Sequence, residues 1–298
     1  MAISGNVPNH LVVGAKTGLL YTPPNDQLPY RLVATVFDQT EKTSTRVDLG
    51  GMPTLTQNPY QVDTLVERSK TITPEDWYLT LTITRNAVND DQTGGLLTRF
   101  KNVMPAFERH INSRVFTVLN AGDAATYGTG ITAASTFFAD SHLYPGGKNT
   151  TGQDNKYALN LSLDNFNTVW VAAQGFKDDA GNYNNHNFNL LVVNQSNNVT
   201  AANITGNVQA MDTGNREMNP YSGRVSYITA PEFDTNAWVL VAGSESAKPL
   251  YVAIKQRMML TESSFDGNTE GGGTYKFVYH ARYVVGYGDP LLAIMGQT

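Results

Sequence analysis

One long stretch of the sequence has helical periodicity, and it lies between Asp90 and Gly122. Its apolar residues recur at steps of three and four, which places them in one stripe on one face of a helix. Asp90 or Asp91 can accept hydrogen bonds from the first free N–H groups of such a helix, and Gly122 can end it in the left-handed conformation. The rest of the chain must be arranged along an element of this length. The stripe consists of Leu96, Phe100, Val103, Phe107, Ile111, Val115 and Val118.

Pro105 interrupts this pattern. Proline has no N–H to donate to the carbonyl four residues earlier, and its ring crowds that turn, so we predict a kink near Lys101. The alternative is two helices, the second with Pro105 in its first turn, where proline is tolerated.

The composition limits the classes of function that fit. A chain of 298 residues with 41% hydrophobic content can bury a core. Its net charge of −5 and its 16% of charged residues offer no basic stretch for sequence-specific nucleic-acid binding. With no cysteine and five scattered histidines, we expect no disulfide, no metal site and no cofactor. We see no signal peptide at the start and no apolar run that could span a membrane.

The first 73 residues are poor in core-forming side chains. Four prolines lie within residues 1–30, which favours an extended arm. Arg31–Asp38 and Arg46–Leu49 are each typical of a strand, and we predict that they form a long hairpin. Residues 50–73 mix turn formers with charges. We therefore expect this region to need a partner surface.

Further along, strands and helices are predicted without regular alternation, which indicates an α+β fold rather than a doubly wound sheet. Alternating residues predict a strand over Trp77–Val88. A helix is predicted over Leu163–Gln174, with Ser162 as its cap and Gly175 as its end. The remaining predictions are strands at 188–193, 224–229, 237–241 and 250–259, a short helix at 200–204, a flexible loop at 266–273 and two closing strands.

No catalytic constellation is evident. Asp140, Ser141 and His142 are consecutive, and neighbours in sequence cannot face each other as a triad requires. We interpret His142 as a hydrogen-bonded structural residue. The GTGITA segment lacks the strand and helix of a dinucleotide site, and Asp178 and Asp179 lack the spacing of a calcium loop.

Several short blocks of sequence occur in the order found in one known family. WYLTLTITRNAVNDDQTG, at residues 77–94, resembles the segment that leads into the spine helix of Mu-like phage major head proteins, the gpT family. DLGGMPTLTQ precedes it, and the other blocks follow it as FFADSH, NPYSGRV, AWVL, KPLYVAIKQR and GYGDPLLA. The resemblance covers roughly residues 46–296. The aromatic residues expected around the L-G-x-x-P block are missing.

That family is similar in fold to the Hong Kong 97 phage capsid protein, so the resemblance implies an α+β subunit with four parts. These are an N-terminal arm at 1–30, an extended loop at 31–73, a peripheral domain at 74–193 and 262–298 with its spine helix at about 91–121, and an axial domain at 194–261. Six of the charged residues of the loop are then candidate inter-subunit contacts. They are Glu41, Lys42, Arg46, Asp48, Glu67 and Arg68.

The resemblance also implies the function and the partners. The function is that of a major capsid protein, not an enzyme, which assembles in the host cytoplasm into hexamers and pentamers of an icosahedral virion shell. The partners are a separate scaffolding protein and a portal, and a decoration protein stays open. The chain starts directly with MAISGNVPNH, which favours a separate scaffold over a built-in one. Nothing identifies the partners of an isopeptide cross-link.

Contact with packaged double-stranded DNA is expected to be weak and salt-sensitive, through basic residues on the polar side of the spine helix. These basic residues can instead be solvated or paired with acidic neighbours. They are Arg99, Lys101, Arg109 and Arg114.

Two other functions stay open at this point, an unrecognised enzyme at residues 140–142 and a carbohydrate-binding or adhesive module rich in Asn, Thr and Tyr.

Overall fold

The computed structural model describes residues 2–3, 7–20, 28–39, 43–48, 66–91, 95–124, 136–143, 151–178, 181–206, 219–244, 248–267 and 272–298. Its helices are α1 (Asn9–Gly18), α2 (Tyr30–Val33), α3 (Arg85–Asn89), α4 (Gly95–Lys101), α5 (Val103–Asn120), α6 (Leu163–Gln174) and α7 (Asn198–Gly206). Its strands are β1 (Ala2–Ile3), β2 (Ala34–Asp38), β3 (Thr43–Asp48), β4 (Val66–Thr71), β5 (Glu75–Thr84), β6 (Lys156–Tyr157), β7 (Leu190–Val193), β8 (Ser226–Thr229), β9 (Ala237–Val241), β10 (Leu250–Asp266), β11 (Thr274–Tyr287) and β12 (Ala293–Gln297). The α+β prediction is confirmed.

The large sheet is built around the long antiparallel hairpin of β10 and β11, in the order β1-β10-β11-β5. On the free side of β10, β2 pairs in parallel with its first half and β1 with its second half. β5 pairs antiparallel with β11, from Thr84 opposite Thr274 to Glu75 opposite Tyr283. The strand predicted at 250–259 is present as β10, but it is longer than predicted and continues to Asp266. The predicted strand over Trp77–Val88 is too long, because α3 begins at Arg85 and Thr84 Oγ1 accepts the N–H of Ala87 at 3.3 Å.

The predicted hairpin of Arg31–Asp38 with Arg46–Leu49 is wrong. The first of these segments begins as helix α2, and its strand β2 joins β10, more than 200 residues away in sequence. β3 instead pairs with β4. Local patterning identifies a strand but not a remote partner, which is why the sequence predicted the nearer pairing.

The spine is broken rather than continuous. α4 ends at Lys101 and α5 begins at Val103, so the prediction of one long kinked helix is wrong and the two-helix alternative is confirmed. The position predicted for the kink is where the helices separate. Pro105 lies in the first turn of α5, where its missing N–H deprives the Lys101 carbonyl of a helical donor. Asp91 accepts the N–H groups of Gly95 and Leu96 at 3.1 Å, as a capping carboxylate should.

The predicted role of Gly122 is wrong. It lies in a 3-10 turn, Ala121–Asp123, and is not among the described residues with positive φ. A Cβ at this position would come within 2.8 Å of the Phe138 ring. Glycine is therefore needed here for close packing and not for a left-handed helix end.

The prediction of an extended arm over residues 1–30 is wrong for its middle. Pro8 stands immediately before α1, a position that proline tolerates because no helical N–H is needed there. α1 buries Leu11 and Ala15, and the Tyr279 hydroxyl donates to the Ala15 carbonyl at 3.2 Å. A Cβ on Gly18 would come within 2.1 Å of the Phe100 carbonyl oxygen, so α1 and α4 are in backbone contact.

The small sheet has the order β6-β12-β9-β7-β8 and is covered by α6 and α7. The predicted bounds of α6 and β9 are confirmed to the residue. Ser162 Oγ accepts the N–H of Asn165 at 3.2 Å, and Gly175 follows the last helical residue. The predicted short helix at 200–204 is α7, which is longer. The predicted strands at 188–193 and 224–229 are present in shortened form.

Candidate assembly surfaces

The two-stranded sheet of β3 and β4 pairs with no other strand in the described part of the chain. Its register places Arg46 opposite Arg68, Val47 opposite Glu67 and Asp48 opposite Val66. The structure thus brings together Arg46, Asp48, Glu67 and Arg68 on one hairpin, whereas Glu41 and Lys42 lie outside the described residues. We call the paired segments 43–48 and 66–71 the projecting hairpin.

The base of the projecting hairpin is fixed to the large sheet. Gln39, directly after β2, donates its N–H to the Ile254 carbonyl at 2.8 Å and its side-chain Nε2 to the Ile72 carbonyl at 2.9 Å. Ile72 itself is buried. The hairpin therefore leaves the body of the subunit at a fixed point.

The large sheet leaves one face open to solvent. Along β5, Trp77, Leu79, Leu81 and Ile83 face the core, and the alternate residues are exposed. Tyr78 is 66% exposed, and its ring stacks on that of His280 with centroids 4.5 Å apart. Met259, paired with His280 on the other side, is 47% exposed. We call the surface around this row the open face.

Charged side chains surround that row. His280 Nε2 lies 2.9 Å from Asp76 Oδ1, and Gln256 Nε2 lies 3.2 Å from His280 Nδ1. Arg282 Nε is 2.8 Å from the same Asp76 oxygen. The open face therefore combines an aromatic centre with a polar rim, an arrangement typical of protein interfaces.

A second cluster joins the spine to the opposite face of the large sheet. His110 on α5 contacts the Tyr283 hydroxyl through Nδ1 and meets the Trp77 ring edge-on, with centroids 4.6 Å apart. Arg114, one turn later, lies 5.2 Å from the Trp77 ring centroid and 3.5 Å from Glu75. Burial, helped by the positive charge of Arg114, lowers the pKa of His110, and burial raises that of Tyr283. The Tyr283 hydroxyl is therefore the donor and neutral His110 the acceptor.

The residues Asp140, Ser141 and His142 do not form an active site. His142 is fully buried, and burial lowers its pKa. Its Nε2 lies 3.0 Å from Asn155 Oδ1. The interpretation of His142 as a structural residue is confirmed.

Asn155, which the sequence did not single out, ties the FFADSH and GYGDPLLA segments together. Its Nδ2 contacts three carbonyls, those of Phe137 at 3.0 Å, Pro290 at 2.8 Å and Ala293 at 3.3 Å. Its Oδ1 accepts the N–H of Ala139 at 2.8 Å. Asn155 is itself fully buried. A single polar residue in a loop has no periodicity that could have revealed this role.

The four basic residues of the spine differ in their surroundings. Arg99, Lys101 and Arg109 are exposed. Arg114 is partly buried against Trp77 and paired with Glu75, so the alternative of an acidic partner is confirmed for it.

Among the described residues, no three His, Asp or Glu side chains are grouped as metal ligands. Within the same residues, no helix has both the length and the apolar character needed to cross a membrane.

Solved structures with similar architecture include phage capsids. The procapsid of bacteriophage JBD30 matches with a TM-score of 0.55 and 20% identity over 97% of this chain and 74% of that one. The capsid of Ralstonia phage GP4 matches with a TM-score of 0.57 and 12% identity over 91% and 89%. The capsid of cyanophage P-SCSP1u matches with a TM-score of 0.57 and 11% identity over 100% and 92%. The fold is therefore the Hong Kong 97 type of phage major capsid proteins.

The family follows from the sequence itself. A family model described as phage capsid protein matches residues 67–294, which is more than half of the chain. The chain therefore belongs to the phage capsid protein family. It is a major capsid protein of a tailed phage, a structural component of the virion and not an enzyme. No curated protein sequence matches it.

Proposed function

We propose that this major capsid protein is of the Mu-like head-protein type, the gpT family. The proposal is supported by where the resembling blocks lie in the fold. AWVL opens the buried strand β9, KPLYVAIKQR leads into β10, and FFADSH meets GYGDPLLA at Asn155. The blocks therefore coincide with strands of both sheets and with the segments joined by Asn155.

We further propose that the subunits assemble into hexamers and pentamers of an icosahedral shell, and that the projecting hairpin reaches a neighbouring subunit. The observation that carries this step is that the hairpin pairs with no other strand in the described part of its own chain. Its two strands, TSTRVD and VERSKT, contain only two strongly apolar residues, Val47 and Val66. Segments of this kind gain stability by packing on another surface. The total buried interface of a subunit should then exceed about 2,000 Å².

In this proposal, Glu41, Lys42, Arg46, Asp48, Glu67 and Arg68 contact the neighbour. We propose the same four parts with one change: Arg31–Asp38 belongs to the body of the subunit as part of α2 and β2, so the extended loop begins only after Gln39. The other parts are an arm at 1–30, a peripheral domain at 74–193 and 262–298, and an axial domain at 194–261. The large sheet and the spine lie mainly in the peripheral part.

The proposed partners are a separate scaffolding protein, a portal, packaged double-stranded DNA and a decoration protein. Two solved structures support the order of assembly and the decoration, since one is named a procapsid of bacteriophage JBD30 and another a capsid of that phage decorated with minor capsid protein trimers. Co-expression tests the scaffold. Mixed or tubular products from the lone subunit should become uniform shells with the scaffold, and uniform shells from the lone subunit contradict the need for it.

Removal of the projecting hairpin tests the assembly proposal. Because Thr43 and Thr71 are paired, a short Gly-Ser-Gly link can replace residues 43–71 without stretching the body of the subunit. We expect the full chain to give shells or capsomers by negative-stain microscopy, and the shortened chain to give soluble subunits with an unchanged near-ultraviolet circular dichroism spectrum.

A second variant keeps the projecting hairpin and changes only its charged side chains. Exchange of charge at two positions, Arg46→Glu with Arg68→Glu, keeps the chain length and changes only one cross-strand pair. It should reduce assembly and leave the subunit folded. Closed shells from the shortened chain would contradict the proposed role of the hairpin.

A further inference from the structure

The longest strand with an unpaired side in the described part of the chain is β5, which has ten residues. It pairs with β11 on one side, and no other described strand pairs with its second side. An edge of this kind presents a row of N–H and C=O groups to which another strand can add. We call this second side of β5, from Asp76 to Thr84, the free edge.

The free edge lacks the features that normally prevent strand addition. Proteins protect exposed edges with charges, prolines, bulges or short strands. From Trp77 to Thr84 the sequence contains no charged residue and no proline. The register of β5 with β11 is continuous, whereas that of β10 with β11 shifts at several places. The free edge is therefore long, regular and open to pairing.

The hydrogen bonds of β5 show which of its residues are directed to the free edge. Arg85, directly after β5, donates its N–H to the Gly273 carbonyl at 2.9 Å and so continues the ladder with β11. Successive residues of an antiparallel strand direct their N–H and C=O groups to opposite sides. The odd-numbered residues of β5 therefore bond to β11, and the even-numbered residues from Asp76 to Thr84 direct their backbone groups to the free edge.

The apolar row of β5 is incompletely covered within the subunit. Trp77, Leu79 and Leu81 pack against the core clusters, but each is only partly buried. Ile83, at the end of the same row, is buried. A strand added at the free edge would cover the remaining exposed surface of these side chains, since neighbouring strands pack side chain against side chain.

We propose that the free edge pairs antiparallel with the free edge of a second copy of the chain, about a two-fold axis through Thr80. Opposite residues of an antiparallel pair lie on the same face, and here both must direct their backbone groups to the free edge, so the axis passes through an even-numbered residue. An axis at Thr80 pairs the whole stretch from Asp76 to Thr84. The pairs are Asp76 with Thr84, Trp77 with Ile83, Tyr78 with Thr82, Leu79 with Leu81, and Thr80 with itself.

The two copies complement each other in this register. The apolar row of one copy continues into that of the other, with Leu79 opposite Leu81 at a position where side chains approach closely. No like charges are opposite each other. Asp76 keeps the partners that it has within its own subunit, His280 at 2.9 Å and Arg282 at 2.8 Å.

A strand of a neighbour's projecting hairpin is the rival occupant. β3 and β4 have six residues each, and each contains a single strongly apolar residue, Val47 or Val66. Either strand would leave most of the apolar row of β5 without an apolar neighbour. The length and the apolar row of β5 therefore favour a second copy of the same strand.

The proposed contact joins neighbouring capsomers, and this step rests on the proposed function. Adjacent subunits of one hexamer or pentamer meet through two different surfaces, whereas β5 with β5 uses the same surface on both subunits. A contact through one strand is small compared with the roughly 1,200–2,000 Å² buried in ordinary stable complexes. It should therefore be weak between free subunits and become effective when many such contacts act together in a shell.

Disulfide trapping tests the register, because the chain contains no cysteine of its own. Thr80→Cys in the full chain places two thiols opposite each other on the axis, with Cα atoms about 5.5 Å apart, which a disulfide can bridge. Thr82→Cys is the matched control on the same strand and face, because its two thiols lie roughly 14 Å apart along the paired strands. Oxidised glutathione is the oxidant, and non-reducing electrophoresis measures the covalent dimer.

We expect Thr80→Cys to give at least about fivefold more covalent dimer than Thr82→Cys in the same time. Equal amounts, or more from Thr82→Cys, would overturn the proposal. The dimer of Thr80→Cys should also form when the Gly-Ser-Gly link replaces residues 43–71. Its loss in that shortened chain would overturn the proposal in favour of the projecting hairpin.

Thr80→Pro tests the hydrogen bonds of the proposed pair. Proline removes the N–H of residue 80, which is directed to the free edge, so no bond with β11 is lost. Because the axis passes through this residue, both N–H···O bonds of the central pair disappear. Thr80→Val is the matched control, since valine keeps the N–H and suits a strand. Thermal unfolding of Thr80→Pro far below that of Thr80→Val would show that this N–H bonds within the subunit and would overturn the register.

Assembly of the two variants is followed by light scattering and microscopy. Thr80→Pro should raise the protein concentration needed for shells at least about tenfold relative to Thr80→Val, and capsomers should accumulate instead. Unchanged shell formation by Thr80→Pro would refute the inference and leave the proposed function intact. Absence of wild-type shells and capsomers counts against the proposed function, while the covalent dimer of Thr80→Cys still decides the inference.

Discussion

The two sheets of this subunit differ in how much of their surface the subunit itself covers. In the small sheet, Val192 and Val239 contribute to one core cluster together with α5, while Leu191 and Leu240 contribute to a second cluster with α6 and α7. β7 and β9 are buried at every position. The large sheet instead alternates along β5 between core and exposed residues, and its open face is covered by no other part of the described chain.

This difference separates residues that maintain the fold from residues available for assembly. A strand buried on both faces contributes to the stability of the single subunit. A strand with one solvated face retains side chains that another molecule can bury. The comparison therefore predicts large losses of stability for changes in the small sheet and small losses for changes on the open face.

The largest loss of stability is expected from Trp238→Ala in β9. Trp238 is fully buried, and its Nε1 donates to the Leu159 carbonyl at 3.0 Å. Removal of a buried large aromatic side chain typically costs about 3–5 kcal/mol. Urea denaturation followed by circular dichroism measures this cost. A loss below about 1 kcal/mol would show that the small sheet does not dominate subunit stability.

A smaller loss is expected from Asn155→Leu. The substitution removes the shared donor of three buried carbonyls, those of Phe137, Pro290 and Ala293. Unsatisfied buried polar groups cost about 1–3 kcal/mol each, and local relaxation recovers part of this, so we expect about 2–3 kcal/mol in total. His142→Gln, which alters only one partner of Asn155, should cost less in the same denaturation experiment. Equal losses in the two variants would contradict the assigned role of Asn155.

The joint between the spine and the large sheet should weaken in acid. Because the pKa of His110 is lowered in the folded state, neutral His110 stabilises the fold fully above its ordinary pKa of 6.5, and this contribution is lost as the pH falls through the lowered value. His110⁺ could no longer accept the Tyr283 proton and would face the positive charge of Arg114. Glu75 and Glu108 are acids that act on the neighbouring Tyr283.

Stability curves from pH 8 to pH 5 measure the effect as a difference between the wild type and His110→Gln. The wild type should lose more stability than the variant as the pH falls below 6.5. Fluorescence of Trp77, compared with a Trp77→Phe control, should change over the same range because its ring meets that of His110. Parallel curves for wild type and His110→Gln would rule out this contribution.

The sequence predicted best those elements whose signals are local. α6 and β9 have a clear apolar period and, for α6, a capping serine, and both bounds are confirmed. The break near Lys101 follows from the chemistry of Pro105 alone. Pairings between distant segments, such as β2 with β10, depend on three-dimensional packing and could not be predicted locally.

Glycine and proline led to wrong predictions for a related reason. The sequence alone cannot show whether Gly122 ends a helix or leaves room for the Phe138 ring, because only the packing distinguishes the two roles. α1 was missed because the surrounding prolines favour extended backbone, whereas its close contact with α4 through Gly18 stabilises a helix. Among the candidate contacts, charge alone identified Arg46, Asp48, Glu67 and Arg68 on the projecting hairpin, and their role stays a prediction.

The smallest change in stability is expected on the open face, from Tyr78→Ser. Tyr78 is 66% exposed and contacts mainly the ring of His280, so the free energy of unfolding should change by about 0.5 kcal/mol or less. If a second copy of the chain covers the open face in the shell, loss of this aromatic centre should still reduce assembly, because exposed aromatic side chains contribute much of the energy of protein interfaces.

The matched control is Tyr183→Ser, which removes another exposed tyrosine that lies outside both sheets and contacts Lys177. Both variants should have wild-type unfolding curves, and only Tyr78→Ser should raise the protein concentration at which shells or capsomers form, as followed by light scattering. A wild-type assembly threshold for Tyr78→Ser would mean that the open face faces solvent in the shell. The contrast between the two sheets would then reflect their folding alone, because a sheet can leave one face solvated without a partner.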